Sequence, residues 1–118
     1  MKAVAITTDG VRTVVEFEPG KSYEPIKTAV EGWIECVHLP KYGCDMWVNE
    51  EGKIIGLPYN PLGSMLWAEH YGVTDAIVGN IIITGGVDRE GETLGLSDEQ
   101  VAYFLAFGST EPSIEVIG

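Results

Sequence analysis

The sequence predicts an α+β fold: a mixed, mostly antiparallel sheet of roughly five to seven strands with about three helices, in one compact domain over 1–118. Three observations predict it. Two stretches of period-two alternation open the chain around the turn dipeptide Asp9-Gly10. Three later segments switch to helical spacing, each with its own start or stop residue. Between them, 76–84 is the most β-branched run in the chain, as expected of a central strand covered on both faces.

Taken in order, 2–8 and 11–18 are two strands of a hairpin, the second ended by Pro19-Gly20. Over 23–30, Tyr23, Ile26, Ala29 and Val30 share one helical face. Ser22 or Glu24 can cap this helix, Pro25 fits its first turn, and Gly32 is a natural stop. A strand over 33–39 ends at Pro40, the loop 40–43 turns the chain, and 45–49 returns. Glu50-Glu51-Gly52 turns again, and 53–57 is expected as the third strand of a meander. Asn60 before Pro61 is a capping side chain followed by Pro in the first helical position. The helix 62–71 places Leu62, Met65, Leu66 and Glu69 on one face, with Trp67 and Tyr71 beside it and Gly72 as its stop. Gly79 inside the 76–84 strand signals a bulge or a close backbone approach. A polar loop covers 85–96. Ser97-Asp98-Glu99-Gln100 is then a capping box opening a helix to about Phe107. The tail 108–118 is expected as an edge strand or as disordered chain.

Composition narrows the function classes. Eighteen acidic residues face seven basic ones, a formal charge of −11. Direct binding to nucleic acid, which draws on Lys and Arg against phosphates, is disfavoured, as is adhesion to anionic lipid. The charge suits a basic protein partner, or a solvated surface with no further role. Nothing in the sequence is long or apolar enough for a membrane span, and Asp9 arrives too early for a secretory signal. A cytoplasmic location is expected, with Cys36 and Cys44 reduced.

The blocks GWIECVHLP, DMWVNEEGKIIGLPYNPLGSMLWAEHYG and DAIVGNIIITGGVDREGETLGLSDEQV resemble a family of small proteins found in bacteriophages, mobile elements and their hosts, many of them actinobacterial. This DUF3846-like family is catalogued as a domain of unknown function. The resemblance covers 23–101, and its most specific pieces are 47–52, Gly56-Leu57-Pro58 with Asn60, and 75–79. It implies a compact α+β domain of phage or mobile-element origin, and it carries no catalytic residues to transfer.

Chemistry is sought first on the meander. With 40–43 as the loop, Leu39 pairs with Cys44, His38 faces Asp45, and Cys36 faces Trp47. Cys36, His38, Asp45, Trp47 and Asn49 then share one face, and a one-residue slip would move all of them to the other. A His against a carboxylate can serve as general acid or base, or simply form a satisfied cross-strand contact. Side chains two apart on a strand sit roughly 6–7 Å apart, so direct Cys36–His38 contact is not expected. No oxyanion-binding nest accompanies them, and a Cys nucleophile is not expected either. Cys36, His38, Cys44 and His70 are four soft ligands, but C-x-H-x5-C matches no common zinc spacing, so no metal is expected. The loop Asp88-Arg89-Glu90-Gly91-Glu92 has its Gly fourth, not sixth as an EF-hand requires. Phosphate loops, dinucleotide fingerprints and nucleophile elbows are missing from the sequence.

The expectation is therefore a non-enzymatic acidic phage or mobile-element accessory module, without cofactor, that binds a host or phage protein or pairs as a homodimer. Its expected binding residues are His38, Asp45, Trp47, Asn49 and Tyr59, with no catalytic and no metal residue named. Trp47, Tyr42, Tyr59 and Trp67 are hot-spot candidates where exposed, though Trp47 and Trp67 also suit a core. Asn49 and Asn60 also read as turn and cap residues. A DNA mimic is the first alternative, with Asp88, Glu90, Glu92, Asp98 and Glu99 the densest acidic set. A small-ligand binder or enzyme using the His38/Asp45 face is the second.

Overall fold

The computed structural model describes residues 1–109 of the chain. Its elements run β1 (Lys2–Ile6), β2 (Arg12–Glu16), α1 (Tyr23–Val30), β3 (Ile34–Leu39), β4 (Cys44–Asn49), α2 (Pro61–Tyr71), β5 (Ile81–Gly85) and α3 (Asp98–Ala106). The five strands form one sheet in the order β2-β1-β5-β4-β3. All four pairings are antiparallel, which confirms the α+β class and leaves no parallel pair among the described residues.

Strand alternation sorts the side chains between two faces. Val4, Ile6, Val37, Leu39, Met46, Val48, Ile81 and Ile83 point to one face, where Leu66 of α2 and Val101 and Phe104 of α3 close the core. On the other face Ile26 and Val30 of α1 press on Ala3, Phe17 and Ile82, with Trp47 at the margin. The sheet is thus the middle of three layers. An eight-residue helix is only about 12 Å long, while five strands span roughly 19 Å. The α1 face therefore stays open toward the β3–β4 turn, where His38 is exposed.

Several local expectations hold. The β1–β2 loop closes with Gly10 N–H donating to Thr7 O at 2.9 Å. Ser97 accepts from Gln100 N–H while the Gln100 side chain accepts from Ser97 N–H, a complete capping box. Asn60 Oδ1 accepts from Gly63 N–H at 3.0 Å, capping α2 behind Pro61.

Others are corrected. The expected strand 53–57 is a run of turns: Ile55 N–H donates to Glu51 O and Leu57 N–H to Gly52 O, and Gly56 has φ 75°. The free edge of β4 is already taken by β5, so a third meander strand has no place to pair. The expected strand 76–84 shortens to Ile81–Gly85, although it is central and buried on both faces as read. Upstream, Gly79 sits at φ 80°, and a Cβ there would lie 2.7 Å from Leu57, so the close approach inferred from this glycine is real. Helix α1 ends at Glu31 in the left-handed conformation (φ 63°), one residue before the expected glycine stop. Gly32 is needed instead for space, since a Cβ would lie 2.5 Å from the Asn49 amide. Ser22 occupies the N-cap position of α1 without a side-chain capping bond. Tyr23 and Met65, which spacing places on the same helix faces as the buried Ile26 and Leu66, are both exposed. From residue 110 onward the tail expectation lies outside the described residues. Among the described residues no helix is long and apolar enough to cross a membrane.

Candidate functional site

The register inferred for β3 and β4 is the one observed: Leu39 pairs with Cys44, His38 with Asp45, Cys36 with Trp47. His38 Nδ1 lies 2.7 Å from Asp45 Oδ1. Cys36 Sγ lies 3.8 Å from His38 Nδ1, a contact that strand spacing alone did not lead us to expect. Both side chains lean toward the Asp45 carboxylate, which closes the gap between them. The three ligand atoms fall within 4.8 Å of one another. The Asp45 side chain is 8% exposed and that of His38 76%, so the pair grades from the sheet surface to solvent. From the far side Tyr71 O–H donates to His38 O at 2.6 Å and holds this stretch of β3.

The other predicted binding residues separate from this cluster. Trp47 donates its indole N–H to Thr84 Oγ1 at 2.9 Å and packs beside α1. Asn49 is buried; it donates to Val30 O and accepts from Glu51 N–H, tying the end of α1 to the β4 turn. Tyr59 is exposed and joins Val78 through an isolated bridge. Cys44 points to the opposite face, into the core. His70 accepts from Lys41 N–H through Nε2, with Nδ1 against Leu66 O. Neither Cys44 nor His70 therefore joins Cys36 and His38.

Sequence reasoning missed a second feature. A cleft of about 180 Å³ lies between β3, β4 and the 75–78 segment, floored by Val37, Val48, Trp67 and Ile77. Glu35, Glu50, Lys53 and Asp75 stand at its rim with Ile54, which is 87% exposed. Lys53 pairs with Asp75 and holds its carboxyl below the usual carboxylate range. Glu35 and Glu50 make no ion pair among the described residues. Gly52 and Gly56 flanking the two isoleucines were the available signal that 53–57 turns and presents Ile54 outward.

The sequence model of the family described as domain of unknown function (DUF3846) matches residues 1–107. The chain belongs to this family. The match takes in the first hairpin and all of α3, beyond the 23–101 stretch that carried the resemblance. No curated protein and no solved structure matches the chain.

In this DUF3846 protein the Cys36 thiol is pushed up to about 12, first by burial and then by the negative charge of Asp45. A thiol raised this far stays protonated at neutral pH, the opposite of an activated nucleophile. Burial and Asp45 likewise push Cys44 to about 11. Burial and the hydrogen bond to Glu69 raise the Tyr42 phenol, which also meets Tyr103 Oη at 3.0 Å. The His38–Asp45 pair has acid–base geometry but lies on an open face, where water is not excluded.

Proposed function

We propose that this DUF3846 chain is a non-enzymatic accessory module, of phage or mobile-element origin, that binds a basic host or phage protein in the cytoplasm. The cleft carries this reading: an apolar floor, an exposed Ile54 at the lip, and the unpaired carboxylates of Glu35 and Glu50 beside it. Such a surface suits a segment with an apolar anchor flanked by Lys or Arg. The charge balance supports it. Lys2, Lys21, Lys41 and Lys53 already hold carboxylates, which leaves most of the acidic side chains among the described residues without a cation. The protonated Cys36 thiol supports a binding role over thiol catalysis. Mimicry of DNA draws less support, since Asp88 accepts from Glu90 and Glu92 N–H within its own turn and Asp98 pairs with Lys2.

The test compares wild type with an Ile54→Asp/Glu35→Lys variant, each immobilised and exposed to nuclease-treated lysate of a host-type bacterium. Wild type is expected to retain a protein that the variant loses and that added salt releases. Identical proteins on both baits, or no protein retained by wild type from the nuclease-treated lysate, would refute the reading. Ile54 and Glu35 are exposed, so the variant is expected to keep the wild-type urea midpoint.

A further inference from the structure

We propose that Cys36, His38 and Asp45 form a binding site for a divalent cation of the zinc class, with a fourth position open to water. The inference is independent of the cleft reading. It rests on the register of β3 and β4, which brings one sulfur, one imidazole nitrogen and one carboxylate oxygen together on the open face of the sheet.

The donor set selects the metal. On binding, the metal displaces the Cys36 thiol proton to solvent; the resulting thiolate favours zinc or copper(I), imidazole favours zinc and its neighbours, and carboxylate is the hard ligand zinc also accepts. Zinc is common to all three. Tetrahedral bonding with ordinary zinc distances puts sulfur and nitrogen about 3.6 Å apart, and nitrogen and oxygen about 3.3 Å apart. The observed separations are 3.8 Å for Cys36 Sγ to His38 Nδ1 and 2.7 Å for His38 Nδ1 to Asp45 Oδ1. The first is already close. The second is a hydrogen bond that must open by roughly half an ångström, and the exposed His38 ring is free to swing by that amount.

The backbone is prepared for such a site. Cys36 and His38 sit on one strand and Asp45 directly across from His38. The ladder from β3 through β4 to β5 keeps the three Cα positions fixed relative to one another. Tyr71 adds a restraint on the His38 carbonyl from the other side. The exposure of His38 leaves room for water at the fourth position, the arrangement of a metal site that is not closed.

The test uses the untagged chain, titrated with Zn²⁺ in competition with a chromophoric chelator and with Co²⁺ followed by absorption. One equivalent of metal is expected to bind, and the cobalt form is expected to show thiolate-to-metal charge transfer. Cys36→Ser removes that absorption, and Cys36→Ser and His38→Gln each weaken Zn²⁺ binding by at least about 10-fold. Both variants change accessible side chains, and unchanged circular dichroism and urea midpoints verify that they fold. Three results would overturn the site: no stoichiometric uptake by wild type, cobalt binding without charge transfer, or unchanged affinity in Cys36→Ser. Any of them would leave His38 and Asp45 as a plain cross-strand contact.

Discussion

Asn60 is fully buried, and every hydrogen-bonding group of its side chain is used. Its oxygen caps α2 through Gly63 N–H, while its amide donates to Ile6 O at 3.2 Å and Gly79 O at 2.9 Å. One side chain thus ties a helix start, the end of β1 and the tight 79 turn. Asn60→Ala is expected to destabilise the protein by about 3 kcal/mol, from the lost cap plus carbonyls left without donors. Asn60→Asp keeps the capping oxygen but loses both donations and places a carboxylate beside two carbonyls, so it is expected to be no better. Urea unfolding of the two variants checks this, and a smaller loss for Asp would show that the cap alone matters. The capping role was legible from Asn-Pro. The two donations were not, because Ile6 is 54 positions away in sequence.

Helix α3 shows how an element is both started and placed. Ser97 and Gln100 satisfy each other's backbone N–H groups at its first turn. The same Gln100 amide reaches Tyr42 O at 3.1 Å and Cys44 Sγ at 3.4 Å, which pins the helix to the β3–β4 turn. At the other end Arg12 donates to Phe107 O and to Gly10 O, joining the β1–β2 loop to the helix terminus. Ser97→Ala is expected to cost about 1 kcal/mol, the usual value of a lost cap. Gln100→Ala is expected to cost more, about 2 kcal/mol, since it removes the cap partner and the tertiary bond together. Thermal unfolding of both variants decides it; equal losses would mean that the Tyr42 bond contributes nothing. The box was readable as Ser-x-x-Gln, as was the α2 start. The 53–57 element was misread because Ile54 and Ile55 have strand propensity, and propensity yields where the edge of the preceding strand, β4, is already taken by β5.

For the whole molecule, both thiols and the Tyr42 phenol titrate higher in the fold than in free chains, chiefly through burial. Such groups stay protonated in the native state at pH values where the unfolded chain has already ionised. Above about pH 8.5 the unfolded state therefore binds fewer protons, and stability falls as pH rises. The urea midpoint is expected to hold from pH 7 to about 8.5, then decline through the thiol values near 11 and 12. A Cys36→Ser/Cys44→Ala variant is expected to start less stable but decline less steeply. Parallel slopes for the two proteins would refute the assignment to the thiols.

The sequence by itself determined the local elements with strong start and stop signals: the first hairpin, three helices, the β3–β4 register and the central position of a strand within the 76–84 run. These depend on turn residues, caps and alternation, which act over a few neighbours. It also determined that Cys36, His38 and Asp45 share a face. Tertiary structure decided what those neighbours become. It directed Cys44 into the core and His70 to the Lys41 amide, brought Cys36 sulfur within 3.8 Å of His38, and made Asn49 a buried tie rather than a ligand-facing residue. It also formed the cleft with the exposed Ile54 at its lip. Those outcomes depend on which strand takes which edge and which face each helix covers. Pairings between distant segments set both, and no local pattern encodes them.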